Sequence, residues 1–171
     1  YDLGNDFYKL WLDDTMTYSS ALFQTGQESL EAAQIAKYAS MVDQMGAQPG
    51  DHVLEIGCGW GGFAEYAARE RGLKVTGLTI SREQHDYAVD RIARAGLSDQ
   101  VEIKMQDYRD ETGLYDGIAS IEMFEAVGEK YWPVYFKTLR DRLKPGKQAT
   151  LQIITVQHRR WQIYRNTVDF I

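Results

Sequence analysis

The chain has 171 residues, enough for one domain of ordinary size with a real core. Its composition, 44% hydrophobic and 26% charged, excludes a disordered chain, and a net charge of −6 argues against nucleic acid as a partner. No run of about 18 apolar residues is present to span a bilayer, no signal peptide is visible, and Cys58 is the single cysteine, which excludes a disulfide within the chain. The chain begins at Tyr1 and stops at Ile171 inside a predicted helix, so it is expected to be a fragment of a longer protein.

Residues 1–26 are rich in aromatic, acidic and small polar side chains. Residues 27–48 read as a helix. Leu30, Ala33, Tyr38, Met41, Val42 and Met45 recur at roughly helical spacing, and Gly46 with Pro49 and Gly50 closes the run. From His52 onward strands and helices alternate. Residues 52–59 read as a buried strand running into a glycine turn, 61–72 as a helix and 74–80 as a second strand. A helix over 81–96 has Ser81 as its N-cap, and 101–107 and 117–123 are the third and fourth strands. A helix over 129–143, with Trp132, Tyr135 and Phe136 as core, leads to a fifth strand over 148–156 and a last helix over 157–171. Such alternation predicts βαβ units, a doubly wound, mostly parallel sheet and an α/β fold.

The segment Glu55-Ile56-Gly57-Cys58-Gly59-Trp60-Gly61-Gly62 follows the first strand and opens a helix. Glycines there let the backbone approach a ligand at the carboxyl end of the strand, where open α/β sheets bind. Gly57, Gly59 and Gly62 also satisfy the dinucleotide spacing, so the pattern alone does not decide. A dinucleotide site needs an acid at the end of the second strand, and Gly77-Leu78-Thr79-Ile80-Ser81 has none. Glu55 also suits a cationic ligand better than a pyrophosphate.

Together these segments resemble the class I methyltransferases, and most closely the cyclopropane-fatty-acid synthases and mycolic acid methyltransferases. The resemblance runs from Tyr1 to Ile171. It rests on Tyr1-Asp2-x-Gly4-Asn5-Asp6-Phe7-Tyr8, Met16-Thr17-Tyr18-Ser19-Ser20, the glycine turn, Thr79-Ile80-Ser81-x-x-Gln84, Gln106-Asp107-Tyr108-Arg109-Asp110 and Ser120-Ile121-Glu122-Met123-Phe124-Glu125. It implies a single methyltransferase domain with a Rossmann-like core over 49–171, an N-terminal lid and helical segment over 1–48, and further C-terminal strands absent from this chain.

The resemblance implies S-adenosylmethionine as cofactor. Tyr18, Ser19, Gly57 and Gly59 would touch its methionine end, with Glu55 beside them. Thr79 and Gln84 would hold the ribose hydroxyls, Asp107 and Tyr108 would frame the adenine with Ile80 and Arg109 nearby, and Ile121 would lie near the reacting methyl group. Each also has a plain structural reading: Tyr18 as core, Thr79 as a strand residue, Asp107 as a turn cap.

The reaction implied is transfer of a methyl or methylene group to the cis double bond of an unsaturated phospholipid acyl chain. The alternatives are a methyl-branched lipid, or a small soluble acceptor. In the resembled family a bound bicarbonate removes a proton. Here Glu125 and Ile154 match its pocket, Ser20 stands where a cysteine is expected, Gln152 stands for a histidine, and a later tyrosine would lie beyond Ile171. Serine and glutamine still hydrogen-bond an anion, but glutamine accepts no proton as histidine does. No metal ligand is expected. The resemblance further implies a cytoplasmic enzyme, peripheral at the inner membrane surface and compatible with a homodimer. Basic residues His158, Arg159, Arg160 and Arg165 read either as headgroup contacts or as an exposed helix face. Phe7, Tyr8, Trp11 and Phe23 read either as an acyl channel or as lid packing.

Overall fold

A computed structural model describes residues 4–165 and 167. Tyr1 and Asp2 of the N-terminal motif, and residues 166 and 168–171 of the last expected helix, lie outside the described residues. The elements are α1 (Asn5–Tyr8), α2 (Leu30–Met45), β1 (His52–Ile56), α3 (Gly62–Arg71), β2 (Lys74–Thr79), α4 (Arg82–Arg94), β3 (Val101–Met105), β4 (Tyr115–Ile121), α5 (Trp132–Arg142), β5 (Leu143–Gln152) and α6 (His158–Arg165). The strands form one sheet in the order β3-β2-β1-β4-β5, with every pairing parallel. This is the doubly wound α/β architecture expected from the alternation of elements. No helix of the described residues is long and apolar enough to cross a membrane.

The sheet is buried on both faces, and side chains alternate between them. Val53, Val75, Val101 and Ala119 face α2, α3 and α4, against Tyr38, Met41, Phe63, Ala67 and Ile92. Leu54, Ile56, Leu78 and Ile118 face α5, against Tyr135 and Leu139. Strand parity therefore sends Glu55, like Val53, toward α2 and α3. It reaches the carboxyl end of β1 as a carboxylate only 3% exposed.

Local chemistry sets the helix ends. Ser29 caps α2 by accepting from the Ala32 amide, and Gly46 ends it in the left-handed conformation. Ser81 caps α4 by accepting from the Gln84 amide. A Ser29→Ala variant is expected to lower the unfolding free energy by about 1 kcal/mol, read by chemical denaturation, because it orphans an amide in the first turn.

Three sequence expectations shift. The fourth strand ends at Ile121 rather than at residue 123, because Glu122 turns the backbone to a positive φ of 48°. The fifth strand runs Leu143–Gln152 rather than 148–156, with an irregular register opposite Tyr115–Gly117 that accommodates Pro145 and Gly146. Ile154 therefore lies beyond the strand. Within α5, Tyr135 is fully buried, but Phe136 is 48% exposed, with its ring against Phe124 and Tyr135.

Residues 4–29 lie over the carboxyl ends of the strands. Tyr8 and Met16 bury Trp60, whose indole donates to the Asn5 side chain at 2.6 Å. Arg91 of α4 donates to the Thr15 carbonyl at 2.6 Å and pairs with Glu65 of α3. These contacts tie the lid to α3 and α4.

Candidate active site

The turn after β1 is built by backbone geometry. Gly57 has φ 82° and Gly59 φ 53°, and the Gly57 and Cys58 amides both donate to the Leu78 carbonyl, at 3.0 and 2.9 Å. A Cβ on Gly57 would lie 2.9 Å from Met123 Cγ. Only glycine fits both the conformation and the space.

Two cavities lie over the strand ends, on either side of this turn. Tyr18, Ser19, Glu55, Gly59, Gln84 and Ile121 line one. Gly57, Thr79, Ile80, Asp107, Tyr108 and Arg109 line the other. The residues expected around the cofactor are thus divided between adjoining spaces, and Glu122 lines both.

The first cavity holds an unusual buried acid. Oε2 of Glu55 is buried without a hydrogen-bond partner. Burial pushes its carboxyl well above the usual range, with Lys37, Arg91 and the Ala64 amide opposing the shift. Such an atom fits a cationic donor, and an α-ammonium group has the right chemistry for it. Lys37 donates to Ser19 Oγ at 2.6 Å, and Gln34 donates to the Ser19 carbonyl at 2.9 Å. Burial pushes the Lys37 amine down to about 8, against the attraction of Glu122, Asp13 and Glu55. Lys37 and Gln34 therefore hold the lid at Ser19.

Thr79 of the second cavity donates to Oε1 of Gln84, which lines the first, at 3.0 Å, and both side chains are buried. The pair leaves the Gln84 amide as a donor and Thr79 Oγ1 as an acceptor, which suits vicinal hydroxyls. Asp107 caps a short turn and takes a bidentate contact from Arg109, at 2.9 and 2.6 Å. That hydrogen-bonded guanidinium holds the Asp107 carboxyl below its ordinary range. Tyr108 stacks edge-on against Tyr135, with ring centroids 5.6 Å apart. The residues present fit S-adenosylmethionine: a buried acid for its amino group, polar partners for a ribose, and an aromatic-lined slot for a base.

The four residues expected around a bound bicarbonate divide into two groups. Glu125 accepts from the backbone amide of Ile154, while its Oε2 is buried without a partner. The Ile154 side chain is 58% exposed. Ser20 and Gln152 instead meet at a residue that sequence reasoning did not select. Glu122 Oε1 accepts from the Ser20 amide at 2.9 Å, Ser20 Oγ at 2.7 Å and Gln152 Nε2 at 2.7 Å. Ser20 and Gln152 are thus engaged by this carboxylate and do not join Glu125 and Ile154. The available signal was the second acid in Ser120-Ile121-Glu122-Met123-Phe124-Glu125; Lys37, also not selected, sits in a helix that read only as packing.

The family model for mycolic acid cyclopropane synthetase matches residues 1–171. The chain is 43% identical to the tuberculostearic acid methyltransferase of Mycobacterium tuberculosis, covering 100% of this chain and 42% of that protein. It is 44% identical to the cyclopropane-fatty-acyl-phospholipid synthase of Escherichia coli, covering 85% of this chain and 37% of that protein. The chain thus spans less than half the length of these relatives. Among solved structures, the cyclopropane synthase MmaA2 from Mycobacterium tuberculosis superposes with a TM-score of 0.90 at 31% identity, over 99% of this chain and 60% of that one. A mycolic acid cyclopropane synthase complexed with SAH and CTAB gives a TM-score of 0.89 at 31% identity, over 98% of this chain and 59% of that one.

Proposed function

The chain belongs to the mycolic acid cyclopropane synthetase family, and on that premise we propose that it is the core of an enzyme that moves a methyl group from S-adenosylmethionine to the double bond of an unsaturated phospholipid acyl chain. One observation carries the proposal: the residues expected to hold the cofactor line two adjoining cavities at the carboxyl ends of β1, β2 and β4.

S-adenosylmethionine, when bound, supplies an electrophilic methyl group on a sulfonium. The chain's own residues bind and orient. Glu55 takes the α-amino group, with Tyr18, Ser19 and Gly59 around the methionine end. Thr79 and Gln84 take the ribose hydroxyls, and Asp107, Tyr108 and Ile80 frame the adenine. Ile121 packs from the sheet core toward the reacting end and keeps it dry. An alkene is a weak nucleophile, so holding it in line with the methyl is the main contribution available to the protein.

The lid supports a lipid acceptor. Phe7, Leu10, Trp11, Leu22 and Phe23 of this segment are each at least 40% exposed, and Trp11 packs edge-on against Tyr18, which lines the first cavity. Apolar exposure of this kind suits an acyl chain and contact with the cytoplasmic surface of a membrane. The relatives named above, a tuberculostearic acid methyltransferase and a cyclopropane-fatty-acyl-phospholipid synthase, lend the same support.

The test uses the full-length protein, methyl-labelled S-adenosylmethionine and phospholipid vesicles. Label is expected in the acyl chains of unsaturated vesicles and absent from saturated ones, with a mass gain of one CH₂. Proton NMR of the product separates a ring from a branch. Label found only in a small soluble acceptor, with none in unsaturated lipid, refutes the proposal.

A further inference from the structure

We propose that Lys37 is a positioning residue of the cofactor site: acting through Ser19, its ammonium group turns a hydroxyl proton into the first cavity and selects a ligand that carries a carboxylate beside its amino group. This role rests on the cofactor proposed above.

The cavity needs such a group. Glu55 and Glu122 line it, and among the described residues no lysine, arginine or histidine does. A ligand end with both an ammonium group and a carboxylate finds acids for the first and no lining cation for the second. Two cations act on Glu55 from behind the lining, Lys37 and Arg91. Arg91 is committed, since it pairs with Glu65 and donates to the Thr15 carbonyl at 2.6 Å. Lys37 is 3% exposed, and among the described residues it pairs directly with no carboxylate; its Nζ donates to Ser19 Oγ at 2.6 Å. Glu122, Asp13 and Glu55 attract it from further off. Burying an ammonium group without a paired charge is costly, and a ligand carboxylate offsets that cost.

The direction of one hydrogen bond makes the selection. An ammonium group has donors only. Ser19 Oγ therefore accepts from Lys37, and its own proton points elsewhere. Ser19 lines the cavity, so that proton is available to an acceptor there, and its bond to an anion is strengthened by the cation behind it. The lid backbone is held in place for this. Gln34 donates to the Ser19 carbonyl at 2.9 Å, and the Tyr38 hydroxyl bonds Thr17 Oγ1. Gln34, Lys37 and Tyr38 stand at positions i, i+3 and i+4 of α2, so one helix face grips both Thr17 and Ser19. Met16, just before them, is buried at a positive φ of 53°, a conformation that persists where the surroundings enforce it and that clusters at functional sites.

The test uses full-length protein and calorimetry with S-adenosylmethionine and its decarboxylated analogue, which keeps the sulfonium and the amino group. Wild type is expected to bind the intact cofactor about 10- to 100-fold more tightly, the range of a hydrogen bond to a charged group. Lys37→Met, of similar length but neutral, is expected to cut this preference below about threefold and to bind the analogue within about threefold of wild type. Ser19→Ala is expected to do the same, and the double variant to lose no more than either single one, because all three remove one shared interaction. Thermal denaturation shows whether Lys37→Met is folded. If it is not, Lys37→Gln gives the same comparison, since an amide both donates and accepts and no longer fixes the direction of the serine hydroxyl. A preference retained without the lysine overturns the inference. So does an equal loss for both ligands, which is what loosening of the lid alone produces, and so does a wild type with no preference for the intact cofactor. A wild type that binds neither ligand removes the proposed function first, and this inference with it. A wild type that prefers the intact cofactor but labels no lipid refutes the proposed acceptor and supports the role of Lys37.

Discussion

A Glu55→Gln variant is expected to bind S-adenosylmethionine about 10- to 100-fold more weakly, while its ligand-free form unfolds at a higher temperature than wild type. The two effects share one cause. Glu55 is a buried acid with an orphaned Oε2, and burial raises its carboxyl well above the ordinary range. A hydrogen bond to a charged group contributes about 1.5–3 kcal/mol, and glutamine retains only a neutral acceptor for the ammonium group. At a pH that ionises Glu55 in the empty site, the same substitution removes the desolvation cost of that buried charge. Calorimetry measures the first effect and thermal denaturation the second; an unchanged affinity refutes the role given to Glu55.

The pH dependence follows in sign. A carboxyl whose folded value is raised contributes stability that is fully present below its unfolded value and is lost as pH rises through the folded one. The ligand-free chain therefore loses stability as Glu55 ionises. A bound ammonium favours the ionised carboxylate, so binding releases a proton, and affinity rises with pH through the raised value. Lys37, whose amine burial pushes down to about 8, and Arg91 face the same carboxylate. Calorimetry in buffers of different ionisation enthalpy detects the released proton, and Glu55→Gln abolishes that part of it.

Gly57→Ala is the second substitution with a large expected effect. An alanine at φ 82° pays about 1–2 kcal/mol for the left-handed conformation. Its Cβ also meets Met123 Cγ at 2.9 Å, and overpacking of this kind costs about 1–3 kcal/mol. Together a loss of about 2–4 kcal/mol in unfolding free energy is expected, along with weaker cofactor binding, because Met123 adjoins Glu122 and lines the same cavity as Gly57. Chemical denaturation and calorimetry read the two effects. A variant as stable as wild type shows that the turn tolerates a side chain and removes the steric argument.

Parts of the site were legible in the chain before any coordinates. The glycine turn, the missing acid after Leu78 and the spacing of Thr79 to Gln84 are local features, and local chemistry decides them. Ser29 and Ser81 act as caps for the same reason. The bounds of β4 and β5 were less legible. Glu122 carries no local mark of a left-handed turn, and Pro145-Gly146 reads as a break before a strand, whereas pairing with β4 draws Leu143 into the sheet. Phe136 reads as core from its type, but the direction of α5 leaves it half in solvent.

The order of elements, the parallel sheet and the cofactor-type turn were determined by the sequence alone, because hydrophobic period, glycine position and capping residues are short-range properties. Which acid Ser20 and Gln152 meet was decided only by tertiary structure. Ser20, Glu122 and Gln152 are separated by 102 and 30 positions along the chain. They meet because the lid is pinned at Ser19 by Lys37 and Gln34, and because β5 runs beside β4 in a register that sets Gln152 next to Ile121. Convergence of that kind depends on the packing of three distant segments, and no pattern within any one of them encodes it.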